Sequence, residues 1–147
     1  MRLFLDTEFN GFGGELISIA LVPEDDSNEF YCVCRLRNTV DVWVSQHVIP
    51  MLGDAIPHSI KDARTYFHHF ITQFSNPDLV CDWHADAEHF CRMLAGPDYG
   101  SSLDFACRIT ILRTPPGQPV SKVPHNALED ARALKRWFLS TQEEKAA

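Results

Sequence analysis

The stretch MRLFLDTEF constrains the fold more than any other part of the chain. Met1 to Leu5 is short and apolar apart from Arg2, the pattern of a buried strand. Asp6 and Glu8, one residue apart, then interrupt it. Alternate side chains of a strand point to one face, so both carboxylates share a side at the strand tip. Like charges there are costly unless a cation sits between them. The stretch therefore asks for a core sheet with an acidic end.

The following residues extend that sheet. Glu15 to Pro23, ELISIALVP, reads as a second strand, EDDSN as a turn, and Glu29 to Leu36 as a third strand. Short connections make the three an antiparallel meander. VDVWVSQHVIPML and SIKDARTYFHHFITQF carry apolar residues at helical spacing, separated by Pro50, Gly53 and Pro57. NPDLVCDWH gives a turn and a short strand, and ADAEHFCRMLAG a helix closed by Gly96 and Pro97. SLDFACRITIL mixes strand and helix signals, and TPPGQPVSKVP is a loop by composition. HNALEDARALKRWFLSTQ is the clearest helix, with Ala127, Leu128, Ala131, Leu134 and Phe138 as its apolar stripe. The expected fold class is α/β, a mixed sheet with helices on both faces. The 147 residues suffice for one domain with a real core, expected over 1–140, with 141–147 a frayed tail.

Charge narrows the partners. A formal net charge of −7 argues against non-specific duplex binding, which draws its affinity from a basic surface. It leaves nuclease chemistry open, because carboxylates that hold divalent metals count as negative here and are neutralised when loaded. A nucleic-acid substrate would then be a short end rather than a long tract. No run of eighteen apolar residues is present, so no transmembrane helix is expected. No signal peptide is read at the N-terminus, and the five cysteines fit no zinc spacing. They read as buried reduced thiols of a cytoplasmic protein.

Further acids stand where elements should begin. Asp86 follows the strand LVCDWH at the start of a helix, and Asp82, inside the strand run, is a second candidate for the same role. His125 and Asp130 lie in HNALED, five residues apart. On a continuous helix that spacing puts them about 140° apart, so they reach one cleft if His125 sits just before the helix. Four acids and a histidine could hold two divalent cations that clamp the attacking and leaving oxygens of a phosphodiester. Oxygen ligands suit magnesium or manganese, and a neutral histidine can take a proton from attacking water. Each residue has a plainer role alone: a solvated strand end for Asp6 and Glu8, a helix N-cap for Asp86, a loop histidine, and a surface acid paired with Lys135 or Arg136 for Asp130. The set of five carries the functional reading.

DTE near the N-terminus, an Asp at a strand–helix junction, and H-x-A-x-x-D near the C-terminus resemble the DEDDh 3′–5′ exonucleases. Within that superfamily the chain looks closest to small bacterial and phage RNase T-like exoribonucleases. The motifs span positions 6 to 130. The resemblance implies a ribonuclease H-like fold, with Asp6, Glu8, Asp86 and Asp130 as ligands of two Mg2+ or Mn2+ ions and His125 as general base. It also aligns Gly11-Phe12 with the family's Gly-Leu, whose apolar residue wedges against terminal bases. Phe9 and Asn10 stand where the family has threonines, and Phe9, Asn10, Gly11 and Phe12 are the expected substrate contacts. The implied activity is metal-dependent removal of nucleotides from single-stranded 3′ ends, RNA ahead of DNA. Related enzymes often pair, so a homodimer is an open expectation. Arg108, Arg113, Lys122, Arg132 and Arg136 are the candidate phosphate contacts, and His84 and His89 flank the middle motif. A DNA-directed exonuclease, a ribonuclease H-like endonuclease and a binding module with an inactive site remain as alternatives.

Overall fold

The computed structural model describes residues 1–96 and 100–146. Five strands form one sheet: β1 (Arg2–Phe9), β2 (Leu16–Pro23), β3 (Phe30–Val33), β4 (Asp78–Cys81) and β5 (Arg108–Ile111). Their order is β3-β2-β1-β4-β5. β1 pairs antiparallel with β2 and β2 with β3, whereas β4 runs parallel to β1 and β5 parallel to β4. The helices are α1 (Val42–His47), α2 (Ile60–Ile71), α3 (His84–Met93) and α4 (Ala127–Ala146). The architecture is thus α/β, with a mixed sheet flanked by helices.

Strand parity explains how the layers form. Leu3 and Leu5 of β1 join Ile19 and Leu21 of β2 in a cluster with Phe67 and Phe70 of α2 and Phe90 and Met93 of α3. Phe67 meets Phe30 and Phe90 edge-on, with ring centroids 5.9 and 5.3 Å away, the geometry aromatic quadrupoles favour. On the other face, Phe4, Ala20, Val22 and Val80 pack against Ala127, Ala131 and Leu134 of α4. A sheet covered on both sides needs strands apolar on both faces, and every residue of β2 is buried.

Local chemistry sets several boundaries. Ser59 caps α2 by accepting from Asp62 N–H and donating to the Asp62 carboxylate, a capping arrangement visible in S-x-x-D. Asn126 caps α4, its side-chain oxygen accepting from Leu128 and Glu129 N–H at 3.1 and 3.2 Å. That cap places His125 just outside the helix.

Some boundaries differ from the sequence reading. β3 ends at Val33 rather than Leu36; Cys34 N–H still donates to Ile17 O of β2, but the chain there turns to bridge His58. VDVWVSQHVIPML is two pieces, α1 and a 3-10 turn at Ile49–Met51, since Pro50 cannot donate to a continuing α-helix. Only Arg108–Ile111 of SLDFACRITIL is a strand. α3 ends at Met93, and Pro97, expected to close it, lies outside the described residues. α4 continues through Ala146, so 141–146 is helix where a frayed tail was expected. All five cysteines are free; Cys32, Cys34 and Cys81 are buried as expected, whereas Cys91 is exposed and Cys107 half-buried. Among the described residues no helix is long and apolar enough to cross a membrane.

Candidate metal centre

The same parity that builds the core delivers the acids. Phe4, Asp6 and Glu8 share the α4 face of β1, where Asp130 stands in the first turn of α4. Carboxylate oxygens of Asp6, Glu8 and Asp130 lie within 4.8 Å of one another. Thr7 points the other way, toward α3. Its N–H and hydroxyl both donate to Asp86 Oδ1, at 3.1 and 2.7 Å. Asp82, at the end of β4, completes a second group: oxygens of Asp6, Asp82 and Asp86 also lie within 4.8 Å of one another. Asp6 belongs to both groups.

Asp86 therefore does not cap α3. The residue before that helix is Trp83, whose side chain makes no capping bond. Asp86 is 2% exposed, its Oδ1 is oriented by Thr7, and its Oδ2 is buried without a hydrogen-bond partner. Asp6 Oδ2 is orphaned in the same way. Buried carboxylate oxygens normally have partners, so two orphans facing one cluster fit a cation as the missing partner.

Electrostatics agrees with this fit. Burial first, then the charges of Asp86, Asp130, Glu8 and Asp82, hold the Asp6 carboxyl well above the usual range. Burial and then the charges of Asp130 and Asp86 push Glu8 up to about 8. Asp86 is raised to about 7 by burial, against the opposing Thr7 hydroxyl bond. Asp82 and Asp130 are raised as well, burial being the largest cause for each. Such a cluster cannot fully ionise alone, and a divalent cation inverts that logic. An all-oxygen donor set suits a hard cation such as magnesium or manganese.

His125 lines a cleft of about 260 Å³ with Asp6, Asp82 and Asp130. Its backbone is left-handed, φ +66°, uncommon outside glycine. Its N–H donates to Asp130 Oδ2 at 3.0 Å, so the strained turn is tied to the acid cluster. The ring meets Trp43 edge-on at 5.2 Å. Trp43 in turn stacks on His47 at 4.6 Å.

A neighbouring cleft of about 490 Å³ is lined by Glu8, Phe9, Gly11, Phe12, Trp43 and Trp83, among others. Phe12 is 87% exposed, Trp43 51% and Trp83 47%. Phe12 is therefore no core anchor; it stands on a turn whose Gly11 and Gly13 have φ of +74° and +72°, conformations glycine adopts without strain. Asn10 is used internally, its side chain donating to Thr39 O and accepting from Asp41 N–H. Phe9 stacks on buried His89 at 5.1 Å, so that histidine supports the loop from beneath.

The five acids and His125 thus meet at one end of the sheet. The resemblance, with Phe90 four positions after Asp86, ranks Asp82 second, whereas both acids reach Asp6. Thr7 is marked in the sequence only by strand parity, which faces it toward the helix that carries Asp86. Trp43 and Trp83 carry no sequence signal, because spacing does not show where an exposed aromatic points. Arg132 is engaged by Glu29 and Glu129, and Arg108 by Asp78, so these two of the expected phosphate contacts have carboxylate partners. No protein-family model matches the chain, and no curated protein matches it.

Proposed function

We propose that the protein is a metal-dependent 3′–5′ exonuclease of the DEDDh type, acting on single-stranded ends and on RNA ahead of DNA. The observation that carries this reading is the gathering of Asp6, Glu8, Asp82, Asp86 and Asp130 into two carboxylate groups that share Asp6, with two buried oxygens left unpartnered. The strand order β3-β2-β1-β4-β5, antiparallel through β1 and parallel beyond it, supports a ribonuclease H-like arrangement. The H-x-A-x-x-D motif supports the DEDDh branch, with His125 and Asp130 lining one cleft.

Asp6, Glu8 and Asp130 would hold one divalent cation, and Asp6, Asp82 and Asp86 the other, with Asp6 shared. When bound, the cations supply charge stabilisation at the attacking and leaving oxygens of a phosphodiester. His125 then accepts the proton of the attacking water. Thr7 fixes the Asp86 carboxylate, and Asp130 fixes the main chain of His125. Phe12, Trp43 and Trp83 offer aromatic faces to unpaired bases, and such stacking is indifferent to sequence. Preference for RNA requires contacts to the 2′-hydroxyl and rests on the family resemblance.

The test is incubation of end-labelled RNA and DNA oligonucleotides with the protein, with and without manganese, followed by product sizing. Mononucleotides released stepwise from the 3′ end only when metal is present are the expected result. Internal fragments would favour an endonuclease, and metal-independent binding without turnover would favour a binding module.

A further inference from the structure

A further cavity, of about 140 Å³, is lined by His89, whose ring stacks on Phe9 of the aromatic cleft. It is lined by Arg35 and Arg37 beyond β3, Arg64 of α2 and Arg92 of α3, with Glu15 and His89 in its wall. The chain has 13 lysines and arginines and a net charge of −7, so four arginines around one small cavity are a local reversal of its field. We infer that this pocket binds a phosphoryl group without the help of a divalent cation.

The arginines come from three separate segments, and the fold brings them together. Arg64 forms the floor: it is 8% exposed, and its guanidinium is oriented by Gly96 O and Arg92 O. Arg35 is exposed and takes part in none of the ion pairs of the described residues. Arg37 and Arg92 pair with Glu15 and Glu88, with arginine side chains 71% and 54% exposed. Exposed pairs of this kind are weak and give way to a ligand anion. Glu15 is held by Arg37 and Asn38 N–H, so its charge is already met by the loop. A guanidinium fork matches phosphate oxygens in bidentate fashion, and the volume suits one phosphoryl group with a few waters.

The pocket is adjacent to the acid cluster along α3. Asp86, His89 and Arg92 are spaced by three residues, each turned about 60° from the last around the helix, with Arg92 about 9 Å beyond Asp86 along its axis. Two sources share the required chemistry. One is a phosphate monoester such as a nucleoside 5′-monophosphate. The other is a backbone phosphodiester of a strand whose end lies at the acids, and this second source alone rests on the nuclease reading.

Calorimetric titration in EDTA at low salt tests the site on the full chain. The probes are inorganic phosphate, a nucleoside 5′-monophosphate, and a dinucleotide whose two ends are hydroxyls. Wild type is compared with the double variant Arg35→Gln/Arg92→Gln, with Arg35→Glu alone, and with Arg2→Gln as a control outside the pocket. Both altered arginines are exposed, and unchanged melting confirms the fold. Affinity for the bound probe should fall by about tenfold or more in the double variant and in Arg35→Glu, and stay unchanged in Arg2→Gln. Binding of phosphate and the monophosphate alone assigns a monoester site, and parallel binding of the dinucleotide assigns a backbone site. No binding in EDTA, or equal affinity in the double variant, overturns the pocket. Binding that requires manganese and ignores the arginines belongs to the acid cluster; it overturns the pocket and leaves the metal reading standing. Arginine-dependent binding in EDTA with no response to manganese does the reverse.

Discussion

Glu8→Gln should stabilise the metal-free protein at high pH while weakening the one metal position it would share with Asp6 and Asp130. The Glu8 carboxyl is pushed from 4.5 to about 8 by burial and by Asp130 and Asp86. Between those values the folded chain keeps a proton that the unfolded chain has lost. Stability contributed by the protonated form is thus complete below pH 4.5 and falls as pH rises to about 8. The full displacement corresponds to about 5 kcal/mol at most. Neighbouring carboxyls adjust their own protonation and water reaches a half-buried side chain, which leaves about 2 kcal/mol for the real effect. Glutamine keeps the shape and cannot ionise, and among the described residues the Glu8 side chain makes no hydrogen bond that the change would break. A gain of about 2 kcal/mol raises Tm by about 6 °C in a chain this size. The assay is thermal melting by circular dichroism in EDTA, at about pH 5 and about pH 8.5. The two proteins should melt together at the lower pH, with the variant ahead at the higher. Adding manganese should narrow or reverse the order, because wild type then gains more ligand-linked stability than the variant. A variant that melts below wild type by the same margin at both pH values would refute the strained-cluster argument.

Asp6→Asn removes the acid common to both groups. It should abolish turnover and most of the manganese-induced rise in Tm, and a variant hydrolysing oligonucleotides at the wild-type rate would exclude Asp6 as a ligand. His125→Ala should lose about 10²–10⁴-fold in rate while keeping the manganese-induced rise in Tm; a twofold loss would make His125 a bystander. Phe12→Ala should leave melting unchanged, since the ring is 87% exposed, and weaken single-strand binding by about 1–3 kcal/mol. Equal degradation of blunt duplex and single strands would refute its action as a wedge.

The parts legible in the sequence are those where burial repeats at a fixed period. β1 and β2 announce themselves by apolar runs, and α4 by a stripe in which Ala127, Ala131 and Leu134 are all nearly inaccessible. Asp6 and Glu8 could be placed on one face because a strand alternates regardless of context. Legibility fails where a boundary depends on a distant partner. β3 stops where the chain turns at Cys34 to bridge His58, and β5 exists because β4 offers it a parallel edge, neither of which a local pattern contains. Asp82 shows the same limit at the site. Its place beside Asp6 follows from the parallel register of β4 on β1, with Phe4 opposite Val80, which no spacing within CDWHAD encodes. The arginines around the second cavity come from segments tens of residues apart, and each alone reads as surface charge.

The central acid pair and its last partner lie far apart in the chain. Asp6 and Glu8 sit on β1, whereas Asp130 arrives on α4, which covers one face of the sheet. During synthesis from the N-terminus, the first two acids are made more than a hundred residues before the third. Throughout that interval Phe4, Ala20, Val22 and Val80 lack their cover, and the cluster lacks both Asp130 and the neighbouring His125. Whatever chemistry the acids carry is therefore withheld until α4 has been made and docks.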